Sequence, residues 1–227
     1  MRIWDVSAGY LARQQLLGEH RELHGLANIL GEGKRGYARH PETLRWVGCL
    51  PALIVRHREL VEEMVLRGYR HHSPLAHATG ELRWPERYID AAYRQFELLS
   101  AKYADGRSGR IPLPAGPQVL WAQHKYSVMA RDPALYAEIG PAVAHGAFRH
   151  DMEALSLLLV QTLRQPPDSG RLYNALQHMW GHVGEDAQAQ APADAPALLA
   201  AVRREAIRQH NAYLLHSTAL SELGVWL

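Results

Sequence analysis

Residues 10–30 read YLARQQLLGEHRELHGLANIL, with Leu11, Leu16, Leu17, Leu23, Leu26, Ala27 and Leu30 spaced close to i, i+3, i+4, i+7. That period predicts an amphipathic helix. Gly31-Glu32-Gly33-Lys34-Arg35-Gly36 interrupts it with three glycines and reads as a loop with two cations at its tip. A second helix is expected from Pro41-Glu42 to Gly68, with a kink or restart at Pro51, which lacks a backbone donor, and a C-cap at the glycine. Pro85-Glu86 reads as the first turn of a helix reaching Tyr103, and further helices are expected near 117–131, 133–164, 170–183 and 195–223. Strand signals are nearly absent, so the fold class is all-α. The best boundary is the Gly/Pro-rich stretch 105–117, which divides a helical unit at 1–104 from a helical bundle at 118–227. The alanine- and proline-rich stretch 184–196 reads as a flexible surface connection.

Composition narrows the function classes. The chain has 227 residues, 47% hydrophobic and 21% charged, with a net charge of +2. It has the make-up of a globular protein, with no apolar run near the roughly 20 residues needed to span a bilayer and no charged-then-apolar leader. One cysteine, Cys49, excludes an intramolecular disulfide framework, fits a reducing cytoplasm, and sits in an apolar run as a small buried hydrophobe. Residues 1–80 hold 11 Lys and Arg against 8 Asp and Glu, whereas residues 106–227 hold 10 of each. Arg2, Arg13, Arg21, Lys34, Arg35 and Arg39 could therefore form a local basic patch for nucleic acid, a solvated face being the alternative.

The first 24 residues carry the most chemistry. An α-amine titrates near pH 7.7–8.0, so part of any such group is unprotonated and nucleophilic at neutral pH. If the helix bearing Glu22 folds back toward Met1, an amine and a carboxylate meet, which suffices for Schiff-base chemistry with proton abstraction beside the iminium.

Met1-Arg2-Ile3, Glu19-x-Arg21-Glu22-Leu23, Gly33-Lys34-Arg35, Arg56-His57-Arg58-Glu59-Leu60 with Glu62, and Leu66-Arg67-Gly68-Tyr69 resemble the phage-type pyrimidine-dimer DNA glycosylase (endonuclease V, AP lyase) family in segment order and spacing. The resemblance covers roughly the first seventy to eighty residues. It implies a cofactor-independent DNA repair enzyme whose N-terminal amine attacks the sugar C1′, expels the base and leaves an iminium, after which a glutamate promotes β-elimination and nicks the strand. By position it assigns the nucleophile to Met1 and the base to Glu22, and contacts to double-stranded DNA at a damaged or abasic site to Arg2 and Arg21. Lys34, Arg35 and Tyr37 are further candidates for DNA contact, and His20 and His24 for the lining of the DNA cleft. Arg2 is too large for methionine aminopeptidase to act, so Met1 is expected to be retained and its amine freed by deformylation. The chain departs from the family at Gln15 (a histidine there), at His24 (a proline) and at Gly25 (a second arginine), and it lacks the basic, aromatic tail. Abasic-site cleavage, which demands less recognition, is the activity that survives these losses best.

Leu120-Trp121-Ala122-Gln123-His124-Lys125-Tyr126, Met129-Ala130-Arg131, Tyr136-x-x-Ile139-Gly140 and Asn174-Ala175-Leu176-Gln177-His178-Met179-Trp180-Gly181-His182 resemble the uncharacterised YbgA-like domain, from which no chemistry is transferred. Two pairs among the fourteen histidines stand at i, i+4: His20/His24 and His178/His182. Such a pair shares one helix face and could bind a transition metal. No third ligand is evident for His20/His24, so no metal is assigned there; His124 with His178/His182 is the rival, metal-dependent reading. A binding module without catalysis is the other rival. Trp4, Trp46, Trp84 and Trp121 read as core residues, with Trp4 also placed to stack on a base.

Overall fold

The N-terminal residues lead into a 3-10 turn at Ala8–Tyr10, capped by the Ser7 side chain, which accepts from the Gly9 amide. The computed structural model describes residues 1–32, 36–183 and 191–227. Helix α1 spans Arg13–Glu32 and buries Leu16, Leu23 and Leu26, three of the residues whose spacing marks it. Lys34 and Arg35 lie outside the described residues, as do residues 184–190 of the expected surface connection.

The second expected helix is two helices. The short α2 covers Pro41–Arg45, with His40 accepting from the Glu42 amide, and α3 covers Leu50–Leu66, with Pro51 in its first turn, where a missing donor costs no helical bond. Gly68, at φ 78°, follows the end of α3. The helix expected from Pro85 begins later: α4 covers Ala92–Lys102. Tertiary contacts hold the preceding residues non-helical. Arg164 donates to the Pro85 carbonyl and the Tyr88 hydroxyl, Trp84 donates to the Arg164 carbonyl, and Arg2 pairs with Asp90.

In the second half, α5 covers Pro117–Met129, and the expected 133–164 helix is two: α6 at Pro133–Ala144 and α7 at Met152–Leu163. Gly146, at φ 85°, separates them, and Asp151 caps the second by accepting from the Ala154 amide. Helix α8 covers Ser169–Trp180. The expected 195–223 helix breaks into α9 at Ala195–Arg208, α10 at Ala212–Leu215 and α11 at Ala219–Glu222, followed by a 3-10 turn at Leu223–Trp226. His210, at φ 50°, and the Asn211 cap impose the first break. Among the described residues there are no strands, so the all-α class holds.

One apolar cluster runs from Ile3, Trp4 and Tyr10 through Leu16, Leu53 and Leu99 to Leu120, Val128 and Leu159, and a second gathers α8, α9 and the C-terminal turns. The first cluster crosses 105–117. Ile111 is fully buried and its amide donates to the Gly9 carbonyl. A Cβ at Gly109 would lie 2.5 Å from the backbone of Gly9 and Tyr10, so only glycine permits this approach. Tyr10 extends the junction by donating to Gln123 Oε1 at 2.7 Å.

Buried ion pairs fix the remaining seams. Asp5 takes Arg45 at 2.8 Å, Arg164 at 2.6 Å and Gln95 at 2.9 Å, which joins the N-terminal segment to α2, α7 and α4. Glu63 on α3, with no exposed surface, takes Arg67 at 2.7 Å on Oε1 and Arg110 at 2.7 Å on Oε2. Burial favours the neutral carboxyl, yet Arg110 and Arg67 together hold Glu63 below the usual carboxylate range. Arg67 donates onward to the carbonyls of Leu11, Ala8 and Gly9, and Arg110 to those of Leu215 and Ser217.

Candidate active site at the N-terminus

The Met1 amine lies 4.0 Å from Glu22 Oε1. Two features bring them together. The Met1 side chain is packed away against the core, with the Thr43 hydroxyl directed at its sulfur, while the neighbouring Ile3 and Trp4 are buried. Glu22 stands on α1 beside the buried stripe, with 43% of its side chain exposed. The distance is that of an ion pair rather than a direct hydrogen bond, and the carboxylate keeps a face open to solvent.

The residues expected to contact DNA divide into three groups. Arg21 is exposed and, among the described residues, bonds only its own helix, through the Leu17 carbonyl. Tyr37 is 70% exposed. Arg2, by contrast, is engaged: its guanidinium meets Asp90 at 2.6 Å and lies over the Trp4 ring. His20 is buried and its Nε2 faces His57 and His71 rather than solvent. His24 is half-buried, with Nε2 toward His57. The Nε2 atoms of these two histidines thus face other imidazoles rather than solvent. Trp4 is likewise 4% exposed, packed in the core and closed to base stacking, and Cys49 is buried as expected.

Two features escape a reading by sequence. The first is a shallow groove of about 490 Å³ lined by Arg13, Gln14, Leu17 and Arg21 of α1 together with Arg107 and Ser108. Arg107 comes from the Gly/Pro-rich stretch, 86 positions beyond Arg21 in the chain, and no local pattern signals that meeting. The second is the histidine group on the other flank of α1. Burial and the neighbouring imidazoles push His20 down to about 4 and His57 to about 3, and lower His24, so these rings are neutral near pH 7. Beside them, burial pushes the Glu19 carboxyl up to about 7 against the opposing charge of Arg56, which binds it at 2.7 Å.

The histidines of the second half do not gather. His124 is buried, with Nδ1 2.8 Å from the Leu120 carbonyl and close to the Tyr10 hydroxyl. His178 is exposed on α8, and His182 meets the Tyr126 hydroxyl at 2.8 Å. Among the described residues, His20, His24, His57 and His71 are the group of three or more His, Cys, Asp and Glu side chains whose ligand atoms converge.

His124 gives a pH prediction. Burial pushes its imidazole down to about 4, against a partial rise from the Leu120 carbonyl. The unfolded chain takes this proton near pH 6.5 and the folded chain only near pH 4. The stabilisation is thus complete above pH 6.5 and is lost as pH falls across that window, by about 3 kcal/mol. Urea unfolding at pH 7 and pH 4 measures it, and His124→Gln should flatten the slope.

Residues 1–77, about a third of the chain, match the family model described as pyrimidine dimer DNA glycosylase. Residues 125–221 match the model described as a protein of unknown function (DUF1722). No curated protein and no solved structure matches the chain. Both matches overlap the segments whose motifs carry the two resemblances: the amine–carboxylate pair lies within the first, and the second runs from the last residues of α5 through α6–α10 into α11.

Proposed function

We propose that the N-terminal part acts as a DNA glycosylase with AP-lyase activity on damaged or abasic duplex DNA. The observation that carries this reading is the 4.0 Å separation of the Met1 amine and Glu22, inside the segment that matches the glycosylase model. The unprotonated amine attacks C1′, either displacing a damaged base or condensing with the aldehyde of an abasic site with loss of water. The resulting iminium acidifies the C2′ proton. Glu22 removes that proton, and the electron pair expels the 3′ phosphate; hydrolysis of the imine then returns the amine. Access to C1′ requires a kinked duplex or a flipped nucleotide, which a lesion makes less costly. Arg13, Arg21 and Arg107, gathered along one groove, are placed to take backbone phosphates, which gives affinity with steep salt dependence and little sequence readout. Arg2 serves this reading by holding the terminus against Asp90 and Trp4. Lys34, Arg35 and Tyr37 remain proposed DNA contacts. The division at 105–117, with repair chemistry assigned to 1–104 and a separate role to 118–227, belongs to the same proposal.

The test is borohydride trapping on duplex DNA with a single abasic site, with intact mass and peptide mapping to locate the adduct. An adduct on Met1 that disappears when the amine is blocked is the expected result. A free Met1 amine that binds this DNA and yields no adduct would replace the lyase with a non-catalytic binding module.

A further inference from the structure

His20 and His24 stand one turn apart on α1, His57 comes from α3, and His71 follows the Gly68 turn that ends α3. Their ligand nitrogens all lie within 4.8 Å of one another. His57 Nε2 is 3.1 Å from His20 Nε2 and 3.3 Å from His24 Nε2, and His71 Nε2 is 3.1 Å from His20 Nε2. Hydrogen bonding does not account for this pattern. Each ring nitrogen offers a single in-plane site, either a lone pair or an N–H. Among three contacts in a chain, His57 and His20 each take part in two, so at most two can be hydrogen bonds. A central cation satisfies all of them together. Four nitrogens bound tetrahedrally at about 2.0–2.1 Å lie about 3.3–3.4 Å from one another, close to the three spacings given above, the others reaching at most 4.8 Å.

We propose that His20, His24, His57 and His71 form a closed, structural site for a tetrahedral divalent transition-metal ion of the zinc type. Imidazole donors suit zinc, copper and nickel over calcium or magnesium. Four protein ligands leave no open position, which separates this site from a catalytic one. The backbone at Ser73 hydrogen-bonds the His24 imidazole, the kind of outer contact that fixes the orientation of a ligating ring. Mechanically, the ion ties α1 to α3 and to the chain beyond Gly68. At about 100° per residue, Glu22 lies roughly 160–200° around α1 from His20 and His24. The metal thus holds the helix that carries Glu22 and does not touch the reacting atoms, so this inference stands or falls apart from the lyase.

Metal content of full-length protein purified without a histidine tag tests it. The expected result is one zinc per chain, a fall in Tm of about 5–10 °C on chelation that zinc reverses, and visible absorption bands of tetrahedral cobalt in the Co²⁺-loaded form. His24→Ala and His71→Ala alter half-buried rings and should leave a folded chain with at least tenfold weaker binding. A metal-free chain that takes up well under one equivalent of zinc, cobalt, nickel or copper, with no change in Tm, would overturn the proposal. Wild-type affinity in a folded His71→Ala chain would do the same.

Discussion

Glu22→Gln is expected to slow strand nicking at an abasic site by about 10²–10⁴-fold, the usual contribution of a positioned proton acceptor, while the borohydride-trapped adduct on Met1 persists. The amide keeps the size of the side chain and its place beside the amine, 4.0 Å away in the wild type, but it accepts no proton from C2′. Glu22 is half-exposed and pairs with no arginine among the described residues, so stability should change by less than about 0.5 kcal/mol. Single-turnover nicking compared with trapping yield separates the two steps. Unchanged nicking in the variant would remove Glu22 from the chemistry.

Glu63→Ala should cost about 3–5 kcal/mol, the range found when one partner of a buried ion pair is removed. For a chain of this length that corresponds to a fall in Tm of about 6–20 °C, read by calorimetry. The carboxylate has no exposed surface and neutralises two arginines, Arg67 and Arg110, that in turn hold the carbonyls of Ala8, Gly9, Leu11, Leu215 and Ser217. Its removal leaves both cations in the junction without a counter-charge. The same pairing adds acid sensitivity. Because Glu63 is held below the usual carboxylate range, its stabilisation is present above the unfolded pKa near 4.5 and is lost as pH falls through the lower folded value. Arg67→Ala, which leaves Arg110 in place, should cost less.

What the sequence revealed, and what it hid, follows from the range of the interactions. Helix α1 was legible because Leu16, Leu23 and Leu26 carry their period within one element. The breaks at Gly146 and His210 were not, since a run of good helix formers surrounds each and one residue's backbone decides the outcome. The segment before α4 reads as helix in the sequence yet folds otherwise, because its constraint comes from Arg164 and Arg2, distant in sequence. In the site, the proximity of Met1 and Glu22 could be anticipated from the order of segments in the resembling family. The histidine group could not. His57 sits between two arginines in a run that looks like a solvated face, and His71 adjoins another histidine in a loop-like stretch. Only tertiary packing sets them beside His20. Glu63 also looks like surface charge beside Glu62, and its burial depends on partners 47 residues and more away.

The polar contacts of α3 are completed long after α3 itself has been made. Arg58 donates to the Val225 carbonyl, Glu62 meets Arg203 at 2.8 Å, and Arg110, which holds Glu63, is itself seated on residues 215–217. About 150 residues separate the end of α3 from these partners, which at 5–20 residues per second is roughly 8–30 s of translation. During that interval the helix has its apolar partners and Glu19 from α1, and Arg67 beside Glu63, but it lacks Arg203 and the Val225 carbonyl, and Arg110 is without its seat. The growing chain therefore waits for residues 203–225 before the contacts around Glu63 can close, and any pause in elongation beyond α8 lengthens the time for which that carboxylate stands open to water and to other chains.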